Sequence, residues 1–318
     1  MPPAVGATTE PCRMCGGATS ASLTATDRNR EVDRRDFAYR RCAACATLQL
    51  SDAPDDLERY YDDGYHGVPT PEELRSRAAL EAHKVELLLA HVAPGRLVEV
   101  GPSFGAFAYA ARDAGFDVTG VEMDSACCAY LEETVGVRAI QSSHPETVLA
   151  GLPPSRVVAM WHVFEHMADP VRVLETAAAN LEPAGVLAIA VPNPQALGFR
   201  LMRRRWAHLD APRHLCLVPL ATLVRHARAL GLEPVATVTA DPFARHCNRF
   251  AWEYALRLRP ACGPSPRAIV NLSVMLEKLM APVERTGLRS SAYTVLLRRP
   301  AASGPTNEPA TVRGRRSA

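Results

Sequence analysis

The chain has 318 residues, of which 47% are apolar and 22% charged, with a formal net charge of +2. Such a length calls for one large or two smaller domains, and so small a net charge gives no argument for a nucleic-acid partner. No apolar run is long enough to cross a bilayer, and the opening MPPAVGATTE has neither a basic start nor an apolar core, so no secretory signal is expected.

Nine cysteines without such a signal point to a reducing, cytoplasmic setting, where close pairs are metal ligands more often than disulfides. Two such pairs come first in the chain, Cys12-x-x-Cys15 and Cys42-x-x-Cys45. Four thiolates suit tetrahedral Zn2+ and leave no open position, so a structural zinc is expected rather than a catalytic one. Asp36-Phe-Ala-Tyr-Arg-Arg41 leads into the second pair and suits a small β-ribbon. That segment has few large apolar side chains and would need the metal to fold. A tyrosine-rich stretch, Leu57 to His66, follows. Thr70-Pro-Glu-Glu then caps a helix expected to run to about His91, ended by Pro94-Gly95.

Leu97 to Val100 reads as a buried parallel strand. It breaks at Gly101-Pro-Ser-Phe-Gly105, and an apolar helix, Ala106 to Ala114, follows, closed by Gly115. Asp117 to Val121 reads as a second strand ending in Glu122. Strand, glycine loop, helix, strand and acid make the first half of a nucleotide-binding α/β unit, with the glycines letting backbone approach a ligand. A pyrophosphate loop wants G-x-G-x-x-G, and the matching positions here are Gly101, Ser103 and Ala106. Two of the three glycines are therefore missing.

Further on, a helix is expected near Asp124–Thr134 and a third strand over Val137–Ile140. Gln141–Glu146 reads as a loop, Arg156–Trp161 as a fourth strand, and Pro170 to about Leu181 as a helix. Val186–Val191 and Val235–Thr239 read as strands five and six, Pro219–Leu230 as a helix, and Ala292–Leu297 as strand seven. The span 241–290 is too long for bare loop. Its segments 250–258 and 268–280 read as amphipathic helices, with Ile269, Leu272, Leu276 and Leu279 on one face. A lid or an added core wall is the expected role. Residues 301–318 are small, polar and basic, and are expected to be disordered. The domain organisation read from this is 1–66 for the ribbon and tyrosine-rich segment, 67–300 for the α/β domain, then the tail.

The pattern Leu97-Val-Glu99-Val-Gly101-x-x-x-Gly105, with the acid Glu122 after the next strand, resembles the cofactor motifs of class I S-adenosylmethionine (SAM) methyltransferases. His162-Val-Phe-Glu165-His166-Met-Ala-Asp-Pro170 resembles the segment after their fourth strand, and Glu182-Pro-Ala-Gly185 resembles their K-P-G-G turn with two departures. With the zinc pairs and the tyrosines, the whole is similar to bacterial small-molecule methyltransferases with an N-terminal zinc-binding domain, of which the sugar C-methyltransferases are one branch. The resemblance implies a Rossmann-like seven-stranded sheet flanked by helices. It also implies SAM held by Glu99, Gly101, Ser103, Gly105, Glu122, Met123, Ser142 and His162. Glu122 would take the ribose hydroxyls, Glu99 the amino-acid end, and Ser142 or its neighbours the adenine. In the sugar enzymes a Glu-His pair is catalytic, which points to Glu165 and His166 here, with His166 as the first choice of base. The tyrosine those enzymes carry two residues before the glutamate is Val163 in this chain.

A tyrosine of the 57–66 segment reaches the substrate pocket in that branch, so Tyr60, Tyr61 and Tyr65 are candidates, beside a packing role at the seam. The basic, aromatic stretch Gln195–Arg213, with Trp206 and Asp210-Ala-Pro-Arg213-His214, resembles a W…D-x-P-R-H segment that forms one wall of the acceptor pocket in similar small-molecule methyltransferases, beside the alternative of a solvated surface loop. The function expected is methyl transfer from SAM to oxygen or carbon of a small-molecule acceptor, by a monomer or homodimer. An NAD-dependent oxidoreductase and a non-catalytic zinc-bearing scaffold of the same fold remain alternatives.

Overall fold

The computed structural model describes residues 10–61, 68–257, 266–284, 286 and 288–301. The chain begins with three strands, β1 (Thr19–Thr26), β2 (Asp36–Cys42) and β3 (Leu48–Leu50), and a long helix, α1 (Pro71–Leu89). The start of α1 is set by Thr70, whose hydroxyl accepts from the Glu73 amide while the Glu73 carboxylate accepts from the Thr70 amide.

Next come β4 (Arg96–Val100), α2 (Ala106–Asp113), β5 (Asp117–Glu122), α3 (Ser125–Tyr130), β6 (Arg138–Gln141), α4 (Pro145–Gly151) and β7 (Ser155–Trp161). They continue into α5 (Pro170–Asn180), β8 (Leu181–Pro192), α6 (Leu197–Met202), β9 (Cys216–Leu217) and α7 (Leu220–Ala229). The chain then runs through β10 (Glu233–Val238), α8 (Pro242–Arg257), α9 (Pro266–Glu284) and β11 (Ala292–Arg298). Seven strands form one sheet in the order β10-β11-β8-β7-β4-β5-β6. β4, β5, β6, β7 and β8 pair in parallel, and β11 lies antiparallel between β8 and β10. β4, β7 and β8 are near-continuous buried runs because helices cover both faces of the sheet. β5 pairs on one side of β4 and β7 on the other, so the strand order reverses at β4. In such sheets ligands bind beyond the carboxyl ends of the strands at that reversal.

The expected seven-stranded Rossmann-like sheet is present, and its departures are local. The Glu182–Gly185 turn is absorbed into the leading end of β8, with Ala184 at φ +65°. α4 begins inside the expected 141–146 loop, since Pro145 can open a helix where its missing N–H costs nothing. α8 begins eight residues before the expected 250. Asp241 accepts from the Ala244 amide at 2.6 Å and Pro242 follows it, which makes a helix start. The expected tail, apart from Ala301, and Tyr65 and His66 lie outside the described residues.

The N-terminal strands form a second sheet, β1-β2-β3-β9, whose last strand is supplied by residues far along the chain. This ribbon does not stand apart. Cys12, Met14, Cys42 and Cys45 pack in one core with Cys216, Val218, Leu223 and Ala227 and with one face of the large sheet. Phe37, Tyr39, Leu48 and Leu50 share another with Phe199, Trp206, Leu209 and Leu217.

Candidate functional site

At the carboxyl end of β4 the chain turns through Gly101, at φ +68°, and Gly105, at φ +73°. The glycines are also required by the packing around them. A Cβ on Gly101 would lie 2.6 Å from Val163 Cγ2, and one on Gly105 would lie 2.5 Å from Leu131 Cδ2. Both positions are closed by the chain's own side chains as well as by the left-handed backbone. Ser103, at φ +51°, turns its amide onto the next strand's acid.

That acid is Glu122, which is buried. Its Oε2 accepts from the Ser103 amide at 2.9 Å, and its Oε1 from the Met123 and Asp124 amides at 2.7 and 3.1 Å. A carboxylate has about four lone-pair sites, so three backbone donors fix it with capacity left for a ligand. Met123 is 47% exposed and contributes its amide to this arrangement. Ser142 sits beside it, its amide donating to the Glu122 carbonyl and its hydroxyl accepting from the His144 amide.

Glu99 is buried, and its Oε2 has no hydrogen-bond partner among the described residues. Burial pushes its carboxyl up to about 8; Lys84 opposes the rise, while Glu81 and Glu122 add to it. Lys84 had no signal in the sequence beyond its place in α1. It is buried, ion-paired with Glu81, and lies over the Trp161 ring at 4.9 Å and the Phe243 ring at 5.1 Å. Phe243, from α8, also stacks on His162 with ring centroids 4.3 Å apart. Of the expected insertion, α8 thus packs Phe243 against Lys84 and His162.

The acceptor-side candidates gather after β7. His162 takes φ +56°, and the short turn Phe164–His166 brings Glu165 inward, where it is 1% exposed. Neither Glu165 carboxylate oxygen has a hydrogen-bond partner among the described residues. His162 Nδ1 lies 3.7 Å and His214 Nε2 3.8 Å from Oε1. The surrounding histidines hold its carboxyl below the usual range against the opposing effect of burial. His166 Nδ1 lies 2.9 Å from the Arg213 carbonyl and 2.8 Å from the Tyr61 hydroxyl. A carbonyl only accepts, so Nδ1 carries the proton and Nε2 the lone pair. Burial, then the neighbouring His214, pulls His166 down to about 4. The His166 and His214 rings meet edge-on, with centroids 4.7 Å apart.

Other expected substrate residues lie elsewhere. Arg213 is fully buried, with Nη2 at 2.9 Å from Asp27 and 2.6 Å from Asp210; it ties the ribbon to the 207–217 loop and has no face toward the crevice. Trp206 is 2% exposed and packs on Phe199 and His208 inside the core beneath the expected wall. Tyr60 is 1% exposed, its hydroxyl donating to Asp33 and accepting from Arg35. Its neighbour Tyr61 reaches His166 instead. A cavity of about 650 Å³ lined by Thr24 and Arg203 to Arg205 shares no residue with the site.

Cys12, Cys15, Cys42 and Cys45 come together, their sulfurs all within 4.8 Å of one another. Cys12–Cys45 and Cys15–Cys42 are each 3.5 Å apart. That is far beyond a disulfide and close to the roughly 3.8 Å edge of a tetrahedron with Zn–S near 2.3 Å. The two turns match: Gly16 and Ala46 donate back to the Cys12 and Cys42 carbonyls, both in left-handed backbone. The donor set and its spacing fit a structural Zn2+.

Comparisons with known proteins fit this geometry. A family model described as a methyltransferase domain matches residues 72–237. Among solved structures, the chain is similar to one in the complex between a Haloferax volcanii methyltransferase activator and the methyltransferase. That match has 16% identity and a TM-score of 0.50 over 78% of this chain and 99% of that one. It is also similar to a SAM-dependent methyltransferase from Archaeoglobus fulgidus, at 17% identity and a TM-score of 0.48 over 70% of this chain and 94% of that one. No curated protein matches in sequence. With the domain match spanning just over half of the chain, on a seven-stranded sheet whose glycine loop and acid meet at the strand-order reversal, the chain belongs to the SAM-dependent methyltransferase family.

Proposed function

We propose that the protein transfers a methyl group from SAM to an oxygen or carbon of a small-molecule acceptor such as a sugar or secondary metabolite, with His166 taking the acceptor's proton. The observation that carries this reading is the closeness of Gly101 to Val163, where a single added carbon would overlap the valine. The donor loop after β4 and the loop bearing Glu165 and His166 thus border one crevice.

When bound, SAM supplies a methyl group on a cationic sulfur. The residues present suit it: Glu122 has one acceptor site left for a ribose hydroxyl, and the orphaned Glu99 is placed for the amino-acid end. Gly101, Ser103 and Gly105 shape the loop between them. Met123 and Ser142 border the adenine side, and His162 the boundary between donor and acceptor. In-line displacement needs the acceptor held in orientation, which falls to Tyr61, Phe243 and His214. His166 is fitted to be the base because the Arg213 carbonyl holds its proton on Nδ1 and frees Nε2. Zn2+ on Cys12, Cys15, Cys42 and Cys45 supplies no chemistry to the acceptor in this proposal, since four thiolates complete its coordination.

The test is incubation of the protein with methyl-labelled SAM and a low-molecular-mass metabolite fraction, followed by mass spectrometry. A labelled small molecule is expected. Label appearing only on added protein or nucleic acid would refute the acceptor class.

A further inference from the structure

We propose that Glu165, His166 and His214 form a second metal site, separate from the four cysteines, that takes a divalent transition metal. One ligand atom from each of the three lies within 4.8 Å of the other two. Glu165 is 1% exposed and both its oxygens lack hydrogen-bond partners among the described residues. A buried carboxylate is retained when something pairs with it. The imidazoles at 3.7 and 3.8 Å are too far away to donate a hydrogen bond to it.

The surroundings of the two rings point the same way. His166 Nδ1 donates to the Arg213 carbonyl and His214 Nδ1 to the His208 carbonyl, both at 2.9 Å. This leaves an Nε2 lone pair on each ring. Metal-ligating histidines carry this second bond, because it fixes the tautomer and aims the ring. The carbonyls are themselves held: Arg213 is locked by Asp27 and Asp210, and the Leu215 amide donates to the Glu165 carbonyl at 2.8 Å. The site is therefore built on rigid backbone. Asp210, 3.8 Å from His214, shares Arg213 with Asp27, whereas the Glu165 carboxylate has no hydrogen-bond partner among the described residues and is the one left for a cation. Two imidazoles and one carboxylate select Zn2+ or Co2+ over Mg2+ or Ca2+, and three protein ligands leave a position open.

The consequence for activity rests on the proposed role of His166 as base. A cation at this site takes the Nε2 lone pair that would receive the acceptor's proton, so filling the site switches proton removal off. The binding itself does not depend on that role.

Titrating the zinc-loaded full-length protein with Co2+ tests the site by calorimetry and visible absorption. One equivalent should bind with the weak ligand-field bands of a nitrogen–oxygen site and without thiolate-to-cobalt charge transfer. Glu165→Gln and His214→Gln should each weaken that binding at least tenfold, while the cysteine-bound zinc and the affinity for SAM, which report correct folding, stay unchanged. A protein that takes up no Co2+ beyond its cysteine site would overturn the proposal. So would Co2+ uptake that neither substitution alters in correctly folded protein. His166→Asn, assayed without added metal, probes the base separately: normal turnover there sinks the base and leaves the Co2+ result standing.

Discussion

Removing the Glu122 carboxylate is the sharpest probe of where the nucleoside sits. In Glu122→Ala the Ser103, Met123 and Asp124 amides lose their acceptor. A hydrogen bond to a charged group contributes about 1.5–3 kcal/mol. One lost ribose bond of that size should then weaken SAM by roughly 1.5–3 kcal/mol, or between about tenfold and a hundredfold in Kd. The freed amides sit at the crevice, where water can reach them, so the fold should survive. A cost of about 1–2 kcal/mol would lower Tm by roughly 2–8 °C in a domain of this size. Glu122→Gln keeps one oxygen but turns an amide N–H2 toward a backbone N–H, so its SAM affinity should fall between those of wild type and the alanine variant. Titration calorimetry with SAM, paired with thermal melts, reads both effects. If Tm drops and SAM affinity does not change, Glu122 merely pins the glycine loop and the nucleoside lies elsewhere.

His166→Asn should lower kcat by about 10²–10⁴-fold with SAM binding intact; near-normal turnover with a lower Tm would make it a packing residue. Cys12→Ser with Cys42→Ser should release the zinc that survives dialysis against a chelator, measured by elemental analysis. Activity should fall with it, because the Tyr39 hydroxyl on the ribbon lies 3.1 Å from the Leu209 carbonyl and 3.2 Å from the His214 carbonyl. Glu99 has a folded-state pKa of about 8, raised by burial above that of the unfolded chain. The contribution of Glu99 to the stability of the SAM-free protein should therefore be fully present below about pH 4.5, where both states are protonated, and be lost as pH rises through about 8. Melts of wild type and Glu99→Gln across that window should diverge, and parallel profiles would contradict the assignment. Tyr61→Phe should raise KM or lower kcat severalfold, whereas Tyr60→Phe should mainly lower Tm; the reverse pattern would exchange their roles.

The parts of the site that could be read from sequence are those assembled locally. Gly101 to Glu122 lie within one strand–helix–strand unit, and each CxxC pair sits on one turn, so spacing alone carried the geometry. What was not legible depends on distant partners. Arg213 reads as a ligand-facing arginine until Asp27, 186 positions away, is seen to hold it. Tyr60 and Tyr61 are adjacent, and only the direction of a short helical turn decides which is buried and which meets His166. Lys84 resembles any helix-surface lysine. It is buried with Val85 and Leu88 because α1 packs this face inward. Phe243 lies in the first turn of α8, ahead of the segment whose periodicity reads as a helix from 250.

The strand β9, which completes the ribbon sheet, has a consequence for synthesis of the chain. The Thr222 hydroxyl bonds the Cys45 carbonyl across 177 positions, and Leu48 pairs with Leu217. At roughly 5–20 residues per second, the ribbon waits on the order of 10–35 s before its last strand leaves the ribosome. Through that interval β3, whose Leu48, Gln49 and Leu50 are fully buried in the finished fold, has an open edge. Such an edge is a template for pairing with other chains, so a nascent chain stalled before Cys216 should be prone to aggregate.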